Sequence, residues 1–401
     1  MTDLLVRGIG RLLTMQGSGV GVVEDAAVVV TDGLVSWVGH SPDLPAGLGD
    51  RPELDAGGAC VTPGFVDPHT HLIWAGSRRD DFVDRLDGTS YAEVAARGGG
   101  IHSTVQQTRA ASYAELYDAA AARIYAAART GTTTLEIKTG YGLSPDDECR
   151  LLDVADDLRR HCPEAIETTY LGAHAVPPDS GRTPYVNEII GELPNAWMHN
   201  AGWCDVFCDA GAFTLDEARR ILTAAREAGL GLRLHAEQIE RTGAAELAAE
   251  LGCASADHLD HVDTAGARAM AAAGVVGVLL PASTLTLGHG NWDAWRTLDG
   301  AGVTVALGTD CNPGTSWCES MPYVMALACL SYRMPVEAAF RAATVNAAAA
   351  LRRTDVGRVV VGARGDLAIL NADHEADLLA HLGAVPVAAT VTAGATTHSG
   401  V

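Results

Sequence analysis

Short runs of alternating apolar and polar residues occupy the two ends of the chain, and between them apolar runs alternate with Ala-rich amphipathic stretches. At residues 26–40, AAVVVTDGLVSWVGH, two β-rich runs flank Asp-Gly, a pair suited to the positive φ of a two-residue hairpin loop. Residues 357–371, GRVVVGARGDLAILN, and 385–393, VPVAATVTA, repeat that texture. Both ends predict antiparallel β-structure. Pairing them gives a small β-sandwich composed of residues 1–57 and 361–401.

Residues 58–360 have a different rhythm. The β-rich runs are, in order, ACVTPGFVD, TTTLEIK, IETTYLG, CDVFCD, GLRLHA, SADHLD, GVVGVLL and TVALGTD. Helical stretches such as YAELYDAAAARIYAAART (113–130) and TLDEARRILTAAREAG (214–229) fall between them. Strands alternating with helices make a parallel sheet, and eight in series predict an α/β fold of the (β/α)8 TIM-barrel type. A doubly wound open sheet is the alternative, but no G-x-G-x-x-G follows the first strand to form a dinucleotide site.

In such barrels the chemistry sits at the C-terminal ends of the strands. His69 and His71 end strand 1, Tyr141 follows strand 2, and His174 follows strand 3. His235 ends strand 5, His258 strand 6 and Asp310 strand 8. Chance placement of 14 histidines would rarely fill the mouth in this way.

Alternate side chains of a strand share a face, so His69 and His71 can reach one ion. Alone, His-x-His more often marks two polar residues near a turn. Adding His235 and the carboxylate of Asp310 makes a four-ligand set suited to one divalent cation per chain, Zn2+ or Fe2+. Lys138 is read as a structural ion pair rather than a bridge between two metals. A cation that lowers the pKa of water makes hydrolysis the default reaction. His258 is placed to move a proton, its plainer alternative being a hydrogen-bonded core histidine. Asp310 could pass a proton to the leaving nitrogen.

Composition narrows the setting. A net charge of −22 argues against nucleic acid or an anionic membrane as a partner, so an arginine kept for a small anion must act locally. No secretion signal and no apolar run near the ~20 residues of a membrane span are apparent, so the chain reads as cytoplasmic. Nine cysteines without a tight framework read as reduced thiols; Cys204 and Cys208, spaced C-x3-C without a second pair, read as buried small residues.

Seven stretches, in order, resemble the imidazolonepropionase family of the amidohydrolase superfamily: PGFVDPHTHLIWAGSR (63–78), GGGIHSTVQQTRAAS (98–112), TTTLEIKTGYGL (132–143), YLGAHAVP (170–177), LHAEQ (234–238), SADHLDH (255–261) and GTDCNPGTS (308–316). The resemblance implies hydrolytic opening of 4-imidazolone-5-propanoate to N-formimino-L-glutamate in histidine degradation, by a metal-activated water attacking the cyclic amide carbonyl. It also implies a homodimer. Arg78 would pair with the substrate propionate, matching its planar carboxylate with a guanidinium fork, while Arg79 stays solvated.

The same resemblance assigns Tyr141, His174 and Gln238 to the substrate ring and carboxylate, and Asn312, Gly314 and Thr315 to a loop holding substrate or product. Tyr91 is a further candidate at the pocket rim. For these residues strand capping and turn chemistry are the plainer roles. Related deaminases carry glutamate three residues after the strand-5 histidine, whereas Gln238 cannot exchange a proton at neutral pH, which disfavours a heterocycle deaminase. A metal-free scaffold is disfavoured by the intact ligand set. Residues 279–295, LLPASTLTLGHGNWDAW, depart from the family, with His289 and Trp292 unusual there, which leaves another carboxylate-bearing cyclic amide or a modified imidazolone as the alternative substrate.

Overall fold

A computed structural model describes residues 3–89, 97, 99–288, 291–383 and 386–399. Tyr91 and His289 lie outside the described residues. The N-terminal strands are β1 (Leu4–Leu13), β2 (Val22–Thr31), β3 (Leu34–His40), β4 (Glu53–Asp55) and β5 (Cys60–Pro63). Next come β6 (Phe65–Asp67), β7 (Thr132–Lys138), β8 (Ala165–Ala173), β9 (Trp203–Cys208), β10 (Gly231–Ala236), β11 (Ser255–His258), β12 (Val276–Leu279) and β13 (Val305–Leu307). The C-terminal strands are β14 (Leu367–Leu370), β15 (Val387–Thr392) and β16 (Ala395–Ser399).

β6 to β13 pair in sequence order as a parallel eight-stranded sheet with helices between strands, the (β/α)8 barrel. The last seam is closed beyond the strands: the Asp310 N–H donates to the His69 carbonyl at 3.0 Å, and the His71 N–H to the Cys311 carbonyl at 3.0 Å. The helices begin where the sequence supplies caps. Ser112 and Glu115 form a reciprocal capping box ahead of Tyr113–Ala128, and Thr214 and Glu217 do the same for Leu215–Glu227.

The chain ends do pair, in the order β16-β15-β14-β5-β1-β2-β3, with β4 beside β1. The result is one continuous sheet, whose strands β1, β2, β5, β14 and β15 contribute to a common apolar cluster that includes Val6, Leu12, Val28, Val61, Ile369 and Val391. Asp32 and Gly33, at φ 52° and 80°, make the β2–β3 turn that the Asp-Gly pair predicts.

The run ACVTPGFVD, expected as one strand, is two. β5 joins the terminal sheet and β6 the barrel, with the break at Gly64, where a side-chain Cβ would meet Thr133 Oγ1 at 2.1 Å. Pro63 offers no N–H to continue a ladder, and glycine alone fits the close approach. All nine cysteines are free thiols, with Cys204 and Cys208 buried. Among the described residues no helix is long and apolar enough to cross a membrane.

Candidate active site

The C-terminal mouth of the barrel gathers His69, His71, His174, His235, His258, Tyr141 and Asp310. The His69 ring lies 4.5 Å from that of His235, 5.3 Å from His71 and 5.4 Å from His258. His71 stacks on His174 at 5.0 Å, and Tyr141 is 5.4 Å from His174. Asp310 Oδ1 stands 3.4 Å from His71 Nε2 and 3.6 Å from His69 Nε2. Donor atoms of His69, His71 and His235, and again of His69, His258 and Asp310, lie within 4.8 Å of one another.

The ring orientations follow from two buried carboxylates. His69 Nδ1 meets Asp257 Oδ2 at 2.7 Å, and His235 Nδ1 meets Asp205 Oδ2 at 2.9 Å. A carboxylate only accepts, so each Nδ1 carries the proton and each Nε2 presents a lone pair. Both Nε2 atoms are buried, without a hydrogen-bond partner among the described residues. Such orphaned acceptors cost free energy unless something fills the space they face, and a divalent cation fits that donor set. Burial pushes the imidazoles of His69, His71 and His174 well below the ordinary range and His258 down to about 3, so these rings stay neutral, the form that ligates or accepts a proton.

His258 and Asp310 both have left-handed backbone, φ 75° and 52°. Non-glycine residues pay for that conformation, and such strain collects at working sites. Tyr141 is also buried, which raises its phenol far above the usual value and keeps the hydroxyl protonated.

Arg78 lies further out. Its Nε donates to Asp81 Oδ2 at 2.5 Å, and the guanidinium lies against Gly314, where an added Cβ would come 2.8 Å from its NH1 group. With Pro313–Cys318, Phe82, Leu285 and Thr286 it lines a cavity of about 330 Å3, whose Pro313–Cys318 wall belongs to the loop that runs on from Asp310. Arg79, expected to point away, also lines this cavity, although its side chain is 83% exposed.

Asn312 organises that loop: its Oδ1 accepts from the N–H groups of Gly314 and Thr315 at 2.8 Å each, and its Nδ2 donates to the Asp310 carbonyl at 2.7 Å. Gly314 in turn offers its carbonyl to Arg85 at 2.8 Å. Gln238 donates from Nε2 to Ser283 Oγ at 3.4 Å. Glu237 turns away, bound by Arg241 at 2.7 Å and the Gly243 N–H at 2.9 Å.

The sequence pattern does not single out several residues that hold this arrangement. Asp205 and Asp257 orient the two histidines as described. Glu148 accepts from the N–H groups of Gly140, Gly142 and Leu143 at 2.9, 2.8 and 2.7 Å, fixing the turn that carries Tyr141. Asp209 does the same for Gln238, Ile239 and Glu240. The available signal is alternation: Asp205 and Phe207, and Arg233 and His235, are same-face pairs within short strands, and an ionisable residue on the inward face of a barrel strand calls for a partner.

A barrel whose mouth holds converging neutral imidazoles and a carboxylate defines the class of metal-dependent barrel hydrolases, and the sequence signature of the amidohydrolase family matches residues 60–396. Similar solved structures include an amidohydrolase (TM-score 0.76, 18% identical, 100% of each chain) and an adenosine deaminase from Xanthomonas campestris with bound zinc (TM-score 0.73, 20% identical, 98% of this chain and 92% of that one), likenesses that bear on fold alone. The imidazolonepropionase of Salinispora arenicola is 46% identical over 100% of this chain and 99% of its own, and that of Geobacillus kaustophilus is 42% identical over 96% and 95%. The chain belongs to the imidazolonepropionase family of amidohydrolases.

Proposed function

We infer that the protein hydrolyses 4-imidazolone-5-propanoate to N-formimino-L-glutamate in histidine degradation. The observation that carries this is the gathering of ligand atoms in two groups that share His69, one with His71 and His235 and one with His258 and Asp310, together with the Arg78 guanidinium on a nearby loop cavity. Full-length relatives named imidazolonepropionase support the choice of substrate.

His69, His71, His235 and Asp310 would hold one divalent cation, zinc or iron. When bound, it would supply Lewis acidity toward the ring carbonyl and acidify the attacking water. Water oxygen adds to the carbonyl carbon, the ring carbon–nitrogen bond breaks, and a proton must reach the departing nitrogen. Asp310 takes that proton from the water and returns it to nitrogen, with neutral His258 beside the developing charge as hydrogen-bond partner. Arg78 holds the propionate, and protonated Tyr141 with His174 orients the ring. Gln238 hydrogen-bonds without proton exchange, so no ammonia is released. Ring opening retains both nitrogens in the product.

Another carboxylate-bearing cyclic amide is a second reading, favoured by the position of Pro281–Leu287: this helix belongs to the stretch that departs from the family, and its Leu285 and Thr286 line the Arg78 cavity. Purified protein loaded with zinc or iron should convert 4-imidazolone-5-propanoate to formiminoglutamate, followed by mass spectrometry, without free ammonia. Unchanged substrate with turnover of a related cyclic amide would select the second reading, and ammonia release would refute both.

A further inference from the structure

Directly beneath the histidine cluster lies a set of buried charges that the reaction has no direct use for. Lys138 Nζ is 2.7 Å from Asp205 Oδ2, 2.8 Å from Glu136 Oε2 and 3.6 Å from Asp257 Oδ2, and all four side chains are fully buried. Asp205 Oδ2 and Asp257 Oδ2 are the same two oxygens that accept from His235 Nδ1 at 2.9 Å and His69 Nδ1 at 2.7 Å. One ammonium thus sits between the two carboxylates that aim two separate histidines. Asp205 is further tied through Oδ1, which accepts from the His235 N–H at 3.1 Å. Glu136 has partners of its own in Arg233 Nε at 3.0 Å and Thr169 Oγ1 at 2.5 Å.

We propose that Lys138 is a positioning residue for the cation site: by pairing with Asp205 and Asp257 together, it locks the orientation and tautomer of both His235 and His69. This rests on reading the mouth as a cation site. Two carboxylates facing one another in a dry interior repel, and without a cation between them neither keeps the geometry its histidine needs. An ammonium donates and cannot accept: Lys138 hydrogen-bonds Glu136 and Asp205, and the Asp257 carboxylate stands within ion-pair reach at 3.6 Å. Lys138 therefore acts through the carboxylates and is not itself a ligand. Carboxylate partners of ligating histidines typically contribute about 10–100-fold to metal affinity, and Lys138 influences two such partners at once.

The full chain, stripped with a chelator, would be titrated with Zn2+ in competition with a chromophoric chelator, and with Co2+ to read ligand geometry from its visible spectrum. Wild type is expected to bind one equivalent. Lys138→Met should weaken zinc about 10–100-fold and alter the Co2+ spectrum, and Asp257→Asn and Asp205→Asn should each weaken it within that range. The Lys138→Met/Asp257→Asn double variant should lose less than the product of the single losses, because both act on the same histidine.

Zinc bound to Lys138→Met as tightly as to wild type, with an unchanged Co2+ spectrum, overturns the proposal while leaving the cation site standing. A second equivalent in wild type that disappears with the lysine also overturns it, since Lys138 would then be a ligand. Should Lys138→Met not fold, undiminished zinc affinity in both aspartate variants overturns it equally, there being no aim to transmit. A wild-type chain that binds no cation refutes the reading of the mouth itself.

Discussion

The terminal sheet and the barrel interior bury very different residues. In the sheet, Val6, Ile9, Leu12, Val28, Val30 and Val391 fill the core, and the charged side chains stand at its margin, Arg7 with Glu53 and Arg11 with Glu24 and Glu375. In the barrel, Glu136, Lys138, Asp205, Arg233, His235 and Asp257 are ionisable and almost wholly shut off from solvent. Apolar burial is worth about 25 cal/mol per Å2, whereas charges taken out of water roughly break even at best when paired. The sheet is built as stability requires. The barrel interior keeps groups that a merely stable protein would replace with leucine, and that difference marks where the chemistry is.

The comparison breaks most sharply at His235. His235→Ala removes one unpartnered acceptor and leaves Asp205 with Lys138, so we expect loss of bound cation and a fall in kcat/KM of at least ~10^3-fold, equivalent to ~4 kcal/mol. Metal analysis and steady-state kinetics check this, and the apo protein's Tm should move little. Leu12→Ala in the sheet is the converse. Leu12 is fully buried, and its truncation should destabilise by about 2–5 kcal/mol in denaturant titrations, with kcat/KM within about twofold below the transition. A large activity loss in the folded Leu12 variant would show that the two regions are not separable.

The same contrast sets what the sequence discloses. The Asp32-Gly33 turn, the capped helices and strands such as Thr132–Lys138 are local matters, written in adjacent residues, and they are legible. The mouth histidines are legible too, because strand order alone brings their positions to one end. The split of the first strand at Gly64 is not, because its cause is Thr133, nearly seventy residues on. Nor does the pattern say that the chain ends form one continuous sheet, since alternation fixes which face a residue takes and not how strands are joined. Asp205 and Asp257 stay hidden for a related reason: only contact with His235 and His69 distinguishes them from ordinary polar strand residues. Gln238 and Asn312 are visible as motif residues, but their ties to Ser283 and to Gly314 and Thr315 depend on loop folding.

Arg78 sharpens the comparison within the barrel itself. Unlike the interior charges it has, among the described residues, Asp81 as its one ion-pair partner, and it borders the cavity. Arg78→Ala should raise KM about 10–100-fold while kcat stays within a few-fold, as expected for loss of ~1.5–3 kcal/mol of charge-assisted binding remote from the scissile bond. Substrate analogues lacking the carboxylate should not distinguish the variant from wild type. Equal KM values for the two proteins would remove Arg78 from the propionate site.

The smallest effect belongs to the rim of the sheet. Glu375 accepts from Arg11 Nε at 2.7 Å and NH2 at 3.0 Å, a two-pronged pair on a side chain 9% exposed beside one 22% exposed. Partial burial is the largest single influence and raises its pKa, but the hydrogen bonds and charge of Arg11, with a backbone hydrogen bond and nearby His374, together outweigh it, so Glu375 is held below its ordinary 4.5. A carboxylate whose folded pKa is depressed contributes stability above its unfolded pKa and loses it as pH falls through the folded value. Glu375→Gln should therefore cost about 1 kcal/mol or less at pH 7, since solvent still screens the pair. The gap in Tm between wild type and variant should shrink as the pH drops below 4.5 and close once wild-type Glu375 is itself protonated. Turnover at pH 7 should be unaffected. A gap that persists unchanged in acid would mean that Glu375 stabilises the sheet by packing rather than by charge.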